Sequence, residues 1–271
     1  MIATLIFFCC KKERFVIENL SGNRIHIVGH AGMGFHNLLP KNSYEALMKA
    51  LNLGADGVEM DVQMTKDSVL VLFHDEDLSP GSNMRGRIYD YTWSELQHAY
   101  HVKVGSPLTY SLISLDELFS NIPNLHRYSY TFDNKLHPIS EYDSLSAEAY
   151  INTHINALIR IVEKYDLSKN ANIESYNTYF LTTLKQKKPN YRLFAYLPFD
   201  EGLEIALALD LYGITIESAR ITKEQVQLAH QHHIRSAVFD ANSNGKNIEA
   251  IRKSPDIIQT DRLEHLLKTL R

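Results

Sequence analysis

Nothing constrains the fold of this chain more than its repeated switch between short strand-like runs and helical stretches. Strand-like runs are predicted at 25–30, 57–62, 69–74, 128–135, 172–176, 191–197, 213–217, 234–240 and 256–259. Helical stretches lie between most of them, at 43–53, 144–165, 201–209, 223–231, 247–253 and 262–270. Ser43 stands where a helix N-cap belongs. The stretch 144–165 places Leu145, Tyr150, Ile151, Ile155, Leu158, Ile159 and Val162 at helical spacing, the pattern of an amphipathic helix that clads a sheet. Such alternation implies a parallel sheet buried beneath helices. At 271 residues the options are a closed (β/α)8 barrel or an open doubly wound sheet. A dinucleotide-type open sheet carries a Gly-rich phosphate loop after its first strand, and none occurs here. The expectation at this point is an α/β fold, with the open sheet disfavoured but both topologies still open. Nine candidate strands compete for eight barrel places, so one is peripheral. Periodicity does not say which, and the link from Val62 to Val69 is too short for a helix.

Composition removes other classes. Apolar residues make up 44% and charged residues 22% of the chain, ordinary for a globular domain. Gly 12 and Pro 8 fit neither collagen nor long disorder. A net charge of −4, without a basic aromatic stripe, argues against a nucleic-acid partner. No apolar run reaches 18 residues, so no standard membrane-spanning helix is expected. The 2 cysteines, Cys9 and Cys10, are adjacent, which excludes a disulfide framework or Cys-based zinc site in the body of the chain.

The opening MIATLIFFCC, followed by Lys11, Lys12 and Glu13, is apolar, ends at cysteine and then turns charged. It resembles the second half of a bacterial lipoprotein signal. Cys10 is the expected lipidation site, because Cys9 before it is smaller than the Phe8 before Cys9. No basic segment precedes the apolar run, so this reading includes a start codon assigned too late. Residues 1–20 are thus expected to be a signal-like N-terminus and tether, and residues 21–271 the barrel. The implied location is the bacterial periplasm or outer membrane, with membrane association only through the lipid anchor. A buried N-terminal strand or frayed terminus is the alternative, with a cytoplasmic location.

Titratable groups gather at predicted strand ends. His30 closes the first run, Glu59 and Asp61 share a face of the second, His74 closes the third, and Asp133 and Lys135 share a face of the fourth. Taken singly, each has an ordinary reading: a solvated strand face, a structural histidine, a surface ion pair. Together they stand inside apolar runs such as GVEMDV and VLVLFH. Residues at the C-terminal ends of barrel strands ring an active site. Paired carboxylates suit a hard divalent cation with oxygen ligands, and two histidines can serve as acid and base.

These residues fall in segments that resemble the glycerophosphodiester phosphodiesterase family, a PLC-like phosphodiesterase TIM barrel. The family's opening His-Arg-Gly is His30-Ala31-Gly32, and its Pro-Glu-Asn-Thr is Pro40-Lys41-Asn42-Ser43. Its Gly-Ala-Asp-x-x-Glu-x-Asp-Val element runs from Gly54 to Val62, followed by Thr65-Lys66-Asp67, His74-Asp75, and Thr92 with Glu95 and Leu96. Its Glu-x-Lys strand resembles Asp133-Asn134-Lys135, and its terminal Thr-Asp matches Thr260-Asp261. The resemblance implies an α/β fold of the (β/α)8 TIM barrel type in a single domain, and a divalent metal, Ca²⁺ or Mg²⁺, held by Glu59, Asp61 and Asp133. It implies His30 and His74 as the acid/base pair, Lys135 on the phosphate, and Phe239 as an apolar substrate wall where the family has tryptophan. The implied reaction cleaves a small glycerophosphodiester, or a lipid headgroup, to glycerol 3-phosphate and an alcohol. Oligomeric state, leaving alcohol and the division of labour between the histidines do not follow.

The departures leave other readings open. Ala31 removes the family arginine expected on the phosphate, Lys41 replaces a glutamate and offers a charge in its stead, and Asp133 is one methylene shorter than the usual ligand. Ser175-Tyr176 stands for the family's Ser-Phe. A non-catalytic barrel that binds phosphodiesters or headgroups, and a related phospholipase, are the alternatives.

Overall fold

The computed structural model describes residues 14–34, 38–102 and 108–271. Cys10 and residues 1–13 of the signal-like segment lie outside the described residues. Of residues 14–20, expected to be tether, Phe15 and Ile17 pack against the barrel's core and Asn19 donates from Nδ2 to the Pro255 carbonyl at 2.8 Å. The strands and helices follow in the order β1 His26–Gly29, α1 Tyr44–Leu53, β2 Gly57–Met64, β3 Leu70–Leu72, α2 Trp93–Leu96, β4 Tyr100–His101, β5 Tyr110–Ser111, α3 Leu115–Asn121 and β6 Ser129–Asn134. The second half reads α4 Ser144–Lys164, β7 Ala171–Ser175, α5 Thr178–Lys187, β8 Arg192–Tyr196, α6 Phe199–Ala208, β9 Gly213–Glu217, α7 Lys223–Gln231, β10 Arg235–Ala241, α8 Asn244–Arg252, β11 Ile257–Thr260 and α9 Leu263–Leu270. β1 pairs with both β2 and β11, and the ladder runs round through β10, β9, β8, β7 and β6 back to β2, closing a parallel barrel of eight strands. This is the expected (β/α)8 TIM barrel.

The ninth candidate strand is β3. It folds back antiparallel on the overhanging end of β2, with Val62 opposite Leu72 and Met64 opposite Leu70. The short link at Val62–Val69 is therefore a hairpin. It returns the chain to the barrel rim, where the Phe73 N–H donates to the Asp61 carbonyl at 3.0 Å. His74 thus reaches the mouth from a return strand and not from a barrel strand.

Alternation along the strands sorts the side chains. Val58, Met60, Val62, Tyr130, Phe132, Ile173, Ile214 and Ile216 point outward into the core beneath the helices. Val28, Phe194, Ala237 and Ile257 form a separate apolar cluster inside the barrel. Gly213 makes room for it, since a Cβ there would lie 2.5 Å from the Phe194 ring. The inward residues nearer the mouth are polar: Glu59, Asp61, Thr131, Asp133, Asn172, Glu174, Thr215 and Gln259 are all buried. Burying carboxylates costs stability unless they are paired, so this half of the barrel is built for something besides packing.

Local signals fix the cladding. The Ser43 side chain caps α1 by accepting from the Ala46 N–H, and Gly54 ends it in the left-handed region at φ 101°. α4 buries Ile151, Ile155, Leu158 and Val162, as its periodicity predicts. Between β3 and α3 the chain leaves the barrel. This excursion has its own small core of Leu78, Ile88, Leu96, Ala99 and Leu112 packed on Val71 and Phe73.

Candidate active site

The turn after β1 shapes one wall. Gly34, at φ +78°, lies so close to Asp261 that a Cβ would sit 2.4 Å from its Cα. His30, just past β1, hydrogen-bonds Asp261 Oδ1 through Nδ1 at 2.8 Å, and its Nε2 stands 3.8 Å from Glu59 Oε2. Burial alone would pull the imidazole pKa down. The Asp261 hydrogen bond and the negative fields of Glu59, Asp261 and Asp61 outweigh it and raise the value to about 9.

β2 and β6 place the acids side by side. Glu59, Asp61 and Asp133 each offer an oxygen, all within 4.8 Å of one another. The Ala31 N–H donates to Glu59 Oε2 at 2.7 Å. Asn42 holds Asp61 from two sides, donating through Nδ2 to Oδ2 at 2.7 Å and accepting from the Asp61 N–H at 3.0 Å. The Lys135 ammonium lies 2.7 Å from Asp133 Oδ2 and 3.1 Å from Asp61 Oδ1. Burial opposes ionisation of Asp61, but Lys135, His74 and Asn42 hold its pKa down at about 2. Burial and the negative charge of Asp61 push Glu59 well above the usual carboxylate range, and burial pushes Asp133 up as well.

This acid cluster fits a hard cation. Its donors are carboxylate oxygens, and the buried Glu59 Oε1 has no hydrogen-bond partner. A buried carboxylate oxygen left unpaired is costly, and a divalent ion among these three residues removes that cost.

His74 is pinned by its neighbours. Gln63 on β2 donates from Nε2 to the carbonyls of Phe73 and Asp75, both at 2.8 Å. His74 Nδ1 hydrogen-bonds Asp75 Oδ1 at 2.6 Å, which fixes the orientation of the ring. Phe239 closes the opposite side, 6.2 Å from the His30 ring and edge-on to Tyr196 at 5.1 Å.

The residues singled out from sequence, His30, Glu59, Asp61, His74, Asp133, Lys135 and Phe239, therefore line one cavity of about 200 Å³. Lys41 does not replace the missing arginine there, because its ammonium sits 3.2 Å from Asp75 Oδ1, beside a neighbouring cavity. Ala31 contributes through its backbone N–H. The sequence reading gave no role to Asp261 or Asn42, although both stand in matched motifs. It also passed over Glu174 and Tyr196, which inward alternation on β7 and β8 could have flagged. Glu174 accepts from Thr215 Oγ1 and Gln259 Nε2, each at 2.7 Å, and burial beside Asp133 pushes its pKa up to about 8.

Known proteins share this architecture. A glycerophosphodiester phosphodiesterase from Caldanaerobacter subterraneus is 25% identical over 249 residues, covering 90% of this chain and 97% of that one. One from Bacillus altitudinis is 42% identical over 81 residues, which is 28% of this chain and 33% of that protein. An Oleispira antarctica phosphodiesterase solved with sn-glycerol-3-phosphate superposes with a TM-score of 0.75 at 19% identity, over 90% of this chain and 96% of that one. The model of the glycerophosphoryl diester phosphodiesterase family matches residues 33–265. With a barrel of that kind and an acid cluster at its mouth, the chain belongs to the glycerophosphoryl diester phosphodiesterase family.

Proposed function

We propose that this protein hydrolyses glycerophosphodiesters to glycerol 3-phosphate and an alcohol, with a divalent metal, Ca²⁺ or Mg²⁺, held by Glu59, Asp61 and Asp133. The observation that carries the reading is the meeting of His30, His74 and three buried carboxylates in one cavity at the barrel mouth. When bound, the metal neutralises charge on a phosphoryl oxygen and acidifies a nearby hydroxyl. One histidine accepts the proton of the glycerol 2-hydroxyl as that oxygen bonds to phosphorus. The other donates a proton to the departing alcohol oxygen as its bond to phosphorus breaks. Water then opens the cyclic phosphate to glycerol 3-phosphate. Asp261 and Asp75 orient the two rings through their Nδ1 atoms. Lys135 supplies positive charge beside the phosphate, and Phe239 with Tyr196 walls the cavity.

The deciding measurement is release of glycerol 3-phosphate from glycerophosphocholine and glycerophosphoethanolamine with Ca²⁺, Mg²⁺ or EDTA. Metal-dependent product, lost in His74→Ala, is expected. Ala31 is the feature that favours a non-catalytic headgroup-binding barrel; metal binding by calorimetry without turnover of any diester would be its signature. Export and anchoring through Cys10 belong to the same proposal, and incorporation of labelled fatty acid into the full chain, lost in Cys10→Ser, tests them.

A further inference from the structure

A second cavity, of about 160 Å³, lies beyond His74, lined by Pro40, Lys41, Phe73, Asp75, Gly81, His101 and Val102 along with His74 itself. Its walls are mainly apolar and come mostly from the excursion, with Pro40 and Lys41 added from the segment before α1. The Val102 N–H donates to the Gly81 carbonyl at 2.9 Å, and Ser82 bridges to His101. These contacts hold the two strands of the wall together. The Phe73 and His101 rings stack at 5.8 Å and 18°. His101 is 4% exposed. Lys41 and Asp75 neutralise one another across 3.2 Å.

His74 lines both this cavity and the reaction cavity. A substituent on the oxygen that His74 serves can therefore extend past the ring into the second space. A cavity of about 150 Å³ with apolar walls holds a benzene-sized guest. Among the described residues of its wall the charges of Lys41 and Asp75 are paired with each other, which offers little to a quaternary ammonium, and the wall is more apolar than polar, which disfavours a polyol.

Building on the phosphodiesterase reading, we infer that this cavity takes the leaving alcohol, that its preferred occupant is compact, uncharged and largely apolar, and that His74 protonates the leaving oxygen. Glycerol and phosphate stay in the reaction cavity between His30 and the acid cluster. Gly81 and Val102 set the room available. A Cβ on Gly81 would already lie 3.0 Å from Phe73 Cζ and 3.7 Å from Asp75 Oδ2.

The test compares kcat/KM for the methyl, n-butyl and choline diesters of glycerol 3-phosphate in the metal-loaded enzyme. Methanol and butanol leave with similar ease, so their ratio reports the cavity. Each buried methylene is worth about fourfold, so the butyl diester is expected to exceed the methyl diester by roughly tenfold or more and to exceed the choline diester as well. Gly81→Leu and, at the rim, Val102→Phe both fill the cavity and are expected to bring the butyl-to-methyl ratio near one, each variant first shown folded by circular dichroism. A wild-type ratio near one, a ratio unchanged in both folded variants, or a choline preference abolished by them would overturn the assignment while leaving the hydrolase intact. Cleavage of none of the diesters would overturn the phosphodiesterase reading and the cavity's role with it.

Discussion

The barrel and the excursion between β3 and α3 are held together on different terms. Every barrel strand has a hydrogen-bonded neighbour on both sides, and the helices cover the ring with one continuous apolar core. The excursion has one antiparallel pair of two-residue strands, a handful of buried apolar side chains and surface charge pairs. Arg87 is its main strap, reaching Glu76 at 3.8 Å, Asp90 at 3.5 Å and Glu141 on the turn before α4. Such exposed pairs are screened by solvent and contribute little to stability. The acids, His30 and Lys135 stand on or directly beside barrel strands, whereas the cavity beyond His74 is walled mainly by the excursion. Groups that must keep fixed distances sit where the backbone is held on both sides. Groups that select a substituent sit where local contacts suffice and sequence is easily changed.

The two histidines test this division most severely. His30→Ala and His74→Ala are each expected to lower turnover by about 10²–10⁴-fold, the usual worth of one proton transfer. They should differ in stability. The His30 side chain is 13% exposed and leans on Asp261, itself 2% exposed, so its loss strands a buried carboxylate. That costs on the order of 3 kcal/mol. The His74 side chain is 35% exposed, and its loss should shift the unfolding midpoint little. Chemical denaturation of both variants beside the diesterase assay checks this, and equal destabilisation would erase the distinction between a barrel-borne and a rim-borne histidine.

Within the barrel, Lys135 sharpens the same contrast. Its ammonium neutralises two of the three acids, at 2.7 and 3.1 Å. Lys135→Met takes the nearest cation from those carboxylates and is expected to destabilise the metal-free protein by about 3 kcal/mol. Divalent metal should restore most of that, so the rise in Tm on adding Mg²⁺ or Ca²⁺ over EDTA grows relative to wild type. A rise no larger than the wild-type one, by differential scanning calorimetry, would show that Lys135 is not the counter-charge of the cluster.

Legibility in the sequence follows the same line. Long apolar runs and their alternation with amphipathic helices carried the parallel sheet and its cladding, because parallel strands buried on both faces leave a strong pattern, whereas closure into a barrel came from the family motifs. Residues 213–217 and 223–231 match the observed β9 and α7 at both ends. α5 was passed over because it buries only Phe180, Leu181 and Leu184 among threonines and lysines. α3, α2 and the β4–β5 hairpin are too short for periodicity to show. At the site, Glu59, Asp61 and His74 stood out as polar residues in apolar runs. The Asn42 clamp, the Asp261 anchor and the placement of Lys41 on Asp75 depend on contacts between segments far apart in sequence. The peripheral strand was countable but not assignable, since β3 differs from a barrel strand only in its pairing.

The finest probe of the two regions is a pair of buried, neutral histidines, one in each. His154 on α4 donates from Nε2 to Asn134 Oδ1 at 3.0 Å behind β6, and burial pulls its pKa down to about 3. His101 lies in the excursion, where burial, with Lys41 adding, pulls its pKa down to about 4. In both cases the folded value lies below the unfolded one of about 6.5. The unfolded chain therefore binds protons first as pH falls, and stability present above pH 6.5 is lost on acidification, by up to about 1.4 kcal/mol per unit for each histidine. The loss continues to about pH 4 for His101 and about pH 3 for His154. His101→Phe keeps a ring against Phe73 and removes one titration; His154→Phe removes the other. Between pH 7 and 5, His154→Phe is expected to flatten the decline in global stability measured with denaturant. If the excursion opens on its own, His101→Phe acts locally: it should suppress the acid-induced rise in hydrogen exchange at Leu78, Ala99 and Leu112, whose amides are hydrogen-bonded within the excursion. Suppression confined to those amides would establish the excursion as a separate cooperative unit. Equal flattening of the global curve by both variants would show that barrel and excursion unfold together, and the division drawn between them would then describe chemistry and not stability.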